Sequence, residues 1–250
     1  MIEKKPVIIT DLDGTFIRTS MHEMLMHRLF ELGIFSQDLA KRYFYFKEKW
    51  KNREEHDSFV QFERSSIDIM VNNLAGNDFK NIKAISDEII DSSWNYTYVF
   101  PRWLYYETKI AGYSIGAISH SPDFMVERFS QKHGFDFWSG SLYEVDNEGK
   151  FTKNITTTDK KITVRKLVKK SNNYAIDGSI ALGDTMSDVP MFEAVDFPIC
   201  FNPTLALAKE AKKKNWIIVQ ERKDTIMVNG EIFDKNMSWV MFVERFFYQH

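Results

Sequence analysis

Cysteine is nearly absent from this chain of 250 residues: Cys200 stands alone. No internal disulfide can form, which suits a reducing compartment. A basic excess is also missing. Lys and Arg number 33 against 35 Asp and Glu, a formal net charge of -2. A polyanion-binding role needs a basic excess or a dominant patch, so nucleic acid is not expected as a partner. No apolar run approaches the roughly 18 residues of a membrane span. The first apolar strand starts by Val7, too early for a charged region plus a hydrophobic signal segment before it. There is no internal repeat and no low-complexity segment. The expectation is a soluble cytoplasmic protein with no membrane partner. At 44% hydrophobic and 15% aromatic residues, the chain can bury a core as one large domain or two unequal ones.

Residues 7–11 read as a buried strand. From residue 19 to about 95 the pattern turns helical. Ser20 is a candidate cap for a helix with Met21, Met24, Leu25, Leu29 and Leu32 at helical spacing and Gly33 as its stop. Ser36 is a candidate cap for a second helix, with Leu39, Tyr43, Phe46 and Trp50 on one face. Phe59, Phe62, Ile69 and Met70 suggest a third, and Phe79, Ile82, Ile85 and Ile89 a fourth. The pattern then alternates. A helix opens at Pro101 and closes at Gly112, and Tyr113–Ile118 is an apolar strand. Ser121-Pro122 fits an N-cap followed by a first-turn proline. Ser141–Val145 and Lys150–Asn154 flank a turn as a hairpin. Helices over about 159–170, 189–194 and 205–214 separate strands at 179–183, 198–201 and 216–219. Such alternation predicts an α/β fold: a Rossmann-like parallel sheet sandwiched by helices. The four-helix segment interrupts it after its first strand, so residues 1–18 and 96–250 form the expected core domain and 19–95 an inserted helical cap domain.

Three polar sites directly follow apolar strands: Asp11/Asp13, Ser119 and Asp184/Asp188. In open parallel sheets ligands gather at the carboxyl ends of strands. Two carboxylates this close repel, and the repulsion grows where solvation is poor. Acids from two strand ends form an oxygen cage for a hard divalent cation, and Mg²⁺ prefers such ligands.

The stretch Asp11-Leu12-Asp13-Gly14-Thr15, Ser119, a lysine near 160 and Gly183-Asp184-Thr185-Met186-Ser187-Asp188 resemble the four motifs of the haloacid dehalogenase-like phosphohydrolases. The Ile118–Pro122 turn, the 144–149 hairpin and Asn202-Pro203 are similar to the branch that includes phosphoserine phosphatases. The resemblance covers nearly the whole chain. It implies Mg²⁺-dependent hydrolysis of a small phosphorylated metabolite, with Asp11 as nucleophile forming an aspartyl-phosphate and Asp13 as general acid, then base. It implies phosphate contacts from Ser119 and from the backbone N–H groups of Leu12 and His120. It implies a metal site from Asp11, Asp13 through its main-chain carbonyl, and Asp184, with Asp188 alongside. Lys160 and Lys161 are both candidates for the motif lysine. Helical phase favours Lys160, because Val164 and Leu167 lie four and seven residues on, whereas Lys161 has Arg165 four residues on. A phosphotransferase or mutase shares these motifs, as does a catalytically silent binding module.

Other readings of the same residues are plainer. Asp13-Gly14 alone fits a hairpin turn, but that leaves the second acid-ended strand unexplained. A calcium loop starting at Asp11 fails, since its sixth and twelfth positions are Phe16 and His22. His22 and His27 are five apart, which turns them away from each other on a helix, so core or exposed histidines are expected there instead of a zinc pair. The His120 imidazole either touches substrate or fills space. Cys200 reads as a small buried apolar group, and Tyr43–Phe46 with Trp50 as helix packing. Phosphoserine phosphatases carry a glutamate nine residues after the nucleophile; Ser20 stands there, which argues against phosphoserine. Arg53 and Arg64 are candidates for meeting a substrate acid.

Overall fold

The computed structural model describes residues 4–170 and 174–248. The chain begins with β1 (Lys5–Thr10), then runs through four consecutive helices: α1 (Met21–Glu31), α2 (Gln37–Asn52), α3 (Ser58–Leu74) and α4 (Phe79–Ser93). It returns through α5 (Val99–Ile110), β2 (Ser114–Pro122), α6 (Asp123–His133), β3 (Phe137–Val145) and β4 (Phe151–Thr156). The second half holds α7 (Lys160–Lys170), β5 (Tyr174–Gly183), α8 (Val189–Phe192), β6 (Phe197–Phe201), α9 (Leu205–Lys214) and β7 (Ile217–Arg222). It closes with β8 (Thr225–Val228), β9 (Glu231–Ile232) and α10 (Trp239–Phe246).

The strands form one sheet of order β4-β3-β2-β1-β5-β6-β7-β8-β9. Pairing is parallel from β3 to β7 and antiparallel at both edges, where β4 joins β3 and β8 and β9 extend β7. The expected parallel α/β sheet is therefore present, with antiparallel margins added. Strand order reverses at β1, which lies between β2 and β5. That topological switch point leaves a crevice at the carboxyl ends of the strands, where Asp11, Ser119 and Asp184 sit.

Strand periodicity of two splits the core into two layers. Ile8, Ile180, Leu182, Ile199 and Phe201 face one cluster, shared with α1, α5, α6 and α10. Val7, Ile9, Ala181 and Cys200 face the other, shared with α7, α8 and α9. Cys200 is buried there as a small apolar group, as expected. No helix among the described residues is long and apolar enough to cross a membrane.

One expected boundary is wrong. Ser121-Pro122 does not start a helix: β2 runs through both residues and α6 begins at Asp123. Ser121 cannot cap because its hydroxyl donates to the Asp13 carboxylate.

The helical segment is locally well specified. Ser20 and Ser36 accept the N–H of Glu23 and Leu39 at 3.2 and 3.4 Å, which caps α1 and α2 as the sequence predicts. The two connections to the sheet lie side by side: Arg18 N–H donates to the Tyr96 carbonyl and Tyr98 N–H to the Phe16 carbonyl. Buried Glu221, on β7, ties both together. It accepts the N–H groups of Val99 and Phe100, both at 2.9 Å, and the Arg18 guanidinium at 3.1 Å. On the far side the β3–β4 hairpin grips the α3–α4 loop, with Phe79 N–H donating to the Gly149 carbonyl and Phe151 N–H to the Asn77 carbonyl. Asp91 of α4 pairs with Arg128 and Lys132 of α6.

Glu221→Gln keeps the shape but removes the charge that gathers these donors. We expect it to lower the urea-unfolding free energy by about 1–2 kcal/mol, read from the denaturation midpoint. An unchanged midpoint contradicts the clamp.

Candidate active site

The β1 strand ends one residue before Asp11, whose N–H donates to the Leu182 carbonyl of β5 at 2.8 Å. That bond sets Asp11 against the end of β5. The chain then coils tightly: the Leu12 carbonyl collects the N–H groups of Thr15, Phe16 and Ile17, and the Leu12 side chain is fully buried. The turn needs glycine at position 14. Its φ is +76°, and an added Cβ would lie 2.6 Å from Asp184 Oδ2.

Oxygens of Asp11, Asp184 and Asp188 lie within 4.8 Å of one another. Lys160, 3% exposed, is the cation among them: its Nζ donates to Asp11 Oδ1 at 2.7 Å and to Asp188 Oδ1. The helical phase that favours Lys160 is matched by geometry, with Val164 buried on the same helix; the Leu167 side chain lies outside the described residues. Lys161 is not brought to the site. It pairs with Glu193 at 3.0 Å on the surface. Fully buried Asp188 uses its other oxygen to accept the N–H groups of Asp184 and Thr185, both at 3.0 Å, and so fixes the loop after β5.

Charge decides what this cluster can hold. Three carboxylates and one ammonium leave two negative charges in a buried place. Burial pushes the Asp11 carboxyl upward against the pull of Lys160. Burial and then the charges of Asp11 and Asp188 hold Asp184 well above the usual carboxylate range. Burial alone lowers Lys160, but Asp11 and Asp188 outweigh it and hold the ammonium above its ordinary value. An all-oxygen donor set with two uncompensated charges, floored by a residue that lacks a Cβ, fits a divalent cation such as Mg²⁺.

Asp13 points elsewhere. Its Oδ1 accepts Met21 N–H at 2.6 Å and its Oδ2 accepts the Ser121 hydroxyl. Burial pushes its carboxyl up to about 6, against the pull of those two hydrogen bonds. Two carboxylates separated by one residue thus occupy different surroundings. Asp11 faces a lysine and two acids, whereas Asp13 faces the first turn of α1.

Both border a cavity of about 900 Å³ between the strand ends and helices α1–α4. Ser119, 1% exposed, lines it and accepts Ser121 N–H at 3.1 Å. His120 lines it too, with Nε2 3.2 Å from the Thr158 carbonyl. Burial and the nearby Lys160 charge keep its imidazole below the ordinary value. The sequence reading missed the cavity's far wall. His22 and His27, expected to diverge into core or solvent, both line it but keep separate partners: Ser66 Oγ at 2.9 Å and Lys47 Nζ at 3.1 Å. Trp50 stacks on Phe62 at 5.1 Å and also faces the cavity, whereas Tyr43 is buried and Tyr45 exposed. Neither Arg53 nor Arg64 is among the lining residues; Arg18 and Arg28 are.

The model of the haloacid dehalogenase-like hydrolase family matches residues 8–193, and the chain belongs to that family. It is 23% identical over 226 residues to a histidinol-phosphatase from Neisseria meningitidis serogroup C (strain 8013), across 86% of this chain and 98% of that protein. Its fold is similar to that of a protein of unknown function from Bordetella pertussis Tohama I. There the TM-score is 0.67 at 18% identity, covering 86% of this chain and 98% of the other. It is also similar to a phosphoserine phosphatase solved as a phospho-aspartyl intermediate analogue, with a TM-score of 0.55 at 20% identity over 89% of this chain and 96% of that one.

Removing the lysine exposes the cluster's internal repulsion. Lys160→Ala is expected to cost about 3 kcal/mol of folding stability in chelator-treated buffer, measured by urea denaturation. An unaltered midpoint contradicts the charge balance described above.

Proposed function

We propose that this protein is a phosphatase that hydrolyses a small phosphomonoester through a covalent intermediate on Asp11. One observation carries the reading: the two carboxylates of a single turn have different partners. Asp11 faces Lys160, and Asp13 is held on the cavity side by Ser121 and the Met21 N–H.

The Asp11 carboxylate attacks phosphorus, and the P–O bond to the alcohol breaks as the Asp11–phosphorus bond forms. Asp13 gives its proton to the departing alkoxide. It then takes a proton from the water that attacks phosphorus and releases phosphate, which returns Asp11 as a carboxylate. Phosphoryl transfer spreads negative charge over three equatorial oxygens, so fixed positive groups and N–H donors supply most of the rate. Lys160 offers one such charge. The Ser119 hydroxyl and the N–H groups of Leu12 and His120 offer hydrogen bonds. Asp11, Asp184 and the Asp13 main-chain carbonyl would hold Mg²⁺, whose charge would offset that of the phosphoryl group. Asp188 keeps Lys160 and the loop after β5 in position.

Residues 19–95 act as a cap in this reading. They close the cavity over the phosphate, exclude water and leave Asp13 in control of the proton. The relative named as a histidinol-phosphatase supports a small phosphorylated alcohol as substrate. The family resemblance makes Ser20 the position of a substrate-reading glutamate, and here the Ser20 hydroxyl caps α1, which speaks against phosphoserine.

With p-nitrophenyl phosphate and Mg²⁺, wild-type protein is expected to turn over and to stop when the metal is chelated. Asp11→Asn should lower kcat by at least about 10³-fold and Asp13→Asn by about 10²–10⁴-fold. Equal turnover by wild type and Asp11→Asn overturns the reading.

A further inference from the structure

Ser121 does not cap α6, and both of its donors go to the strand-end site instead. Its N–H donates to Ser119 Oγ at 3.1 Å, and its hydroxyl donates to Asp13 Oδ2. Side chains two apart on a strand share a face, and Ser119 and Ser121 both line the cavity. β2 pairs with β3 from Gly116 to Ile118 and again at Pro122, with the register shifted between. Such an irregularity re-aims side chains beside a site.

The corner that carries Ser121 is fixed by other groups. Gly140 N–H donates to Asp123 Oδ1 at 2.7 Å, which ties β3 to the start of α6. A Cβ on Gly140 would lie 2.9 Å from the Ser121 carbonyl, so glycine is what lets β3 come this close. Pro122 restricts the backbone on the other side. Removing the Ser121 hydroxyl is therefore not expected to move the chain.

Asp13 has one donor on each oxygen: Met21 N–H at 2.6 Å on Oδ1 and the Ser121 hydroxyl on Oδ2. The last torsion of an aspartate side chain is soft, and a donor at each end sets the plane of the carboxyl group. Each oxygen has two acceptor directions, so the two donors leave room for the proton that Asp13 carries. When that proton passes to the leaving oxygen, the Ser121 hydroxyl bonds to the carboxylate left behind. A hydrogen bond to a charged group is stronger than one to a neutral group.

Building on the phosphatase reading above, we propose that Ser121 is a positioning residue for the proton transfer to the leaving group. Its hydroxyl aims the Asp13 carboxyl. Its N–H fills an acceptor site of Ser119 and leaves the Ser119 proton to donate to a phosphate oxygen. As the P–O bond breaks, the leaving oxygen takes the Asp13 proton, and Asp13 becomes a carboxylate held by Ser121. Leaving groups that depart as stable anions need this help least.

The test compares phenyl phosphate with p-nitrophenyl phosphate in Mg²⁺. Phenolate is the more basic leaving group and gains more from a proton. kcat/KM reports the steps through P–O cleavage, and the ratio of the two esters within one variant does not depend on the fraction folded. Ser121→Ala is expected to raise the p-nitrophenyl-to-phenyl ratio of kcat/KM about tenfold over wild type, whereas Ser121→Thr, which keeps the hydroxyl, should stay near the wild-type ratio. Asp13→Asn should show a raised ratio by itself, and adding Ser121→Ala to it should raise the ratio no further. An unchanged ratio in Ser121→Ala, or a further rise on the Asp13→Asn background, overturns the role of Ser121 and leaves the phosphatase reading standing. No hydrolysis of either ester by wild type overturns the phosphatase reading and this inference with it.

Discussion

Repulsion among carboxylates buried at the ends of two neighbouring strands is the constraint on which the arrangement turns. At the separations found here each like-charge pair costs roughly 3–4 kcal/mol at an effective protein dielectric. Lys160 reaches only two of the three acids. The cluster therefore cannot be an inert part of the core. Its donor set fits a divalent cation, and the scaffold around it keeps it in place. The Asp11 N–H to Leu182 carbonyl bond locks β1 against β5. Asp188 spends its second oxygen on the backbone of the loop after β5. Gly14 leaves the space that Asp184 occupies.

The sheet order makes the convergence possible. β1 lies at the reversal of strand order, so β2 and β5 flank it, and Asp11 after β1, Asp184 after β5 and Ser119 within β2 border one cavity. A single turn after β1 then serves two purposes, because Asp13 leaves the cluster and engages Ser121 and the start of α1. The helical segment is joined to this chemistry at its first residue: the N–H that Asp13 accepts belongs to Met21, in the first turn of α1. Glu221, Arg18 and the hairpin at Gly149 hold the remainder of that segment over the strand ends.

Much of this was legible in the sequence because its signals are local. A short apolar run ending in an acid identifies both β1 and β5, and the serines before α1 and α2 mark their caps. Helical phase favoured Lys160 over Lys161, since Val164 lies four residues beyond Lys160, while Lys161 stayed a candidate. What was not legible depends on distant partners. Ser121 looked like a helix cap because serine before proline is a local cap signal, whereas its actual partner is 108 residues away. The cavity wall was hidden for a related reason. The stripe of Glu63 and Ser66 on α3, or of Glu23 and His27 on α1, has the pattern of a solvated face, and only the neighbouring helices make it the wall of a cavity. The β8–β9 hairpin was passed over although Asn229-Gly230 adopts positive φ at both residues, the signature of a tight two-residue turn.

The central claim is that Asp11 is the atom donor to phosphorus within a shared acid and metal centre. A crystal structure grown with Mg²⁺ and beryllium fluoride tests it most directly. The account predicts a trifluoroberyllate group bonded to the Asp11 carboxylate, contacted by Lys160 and Ser119, with a metal ion shared by Asp11 and Asp184. Density for that group on Asp13, or for the metal away from both strand ends, would contradict it.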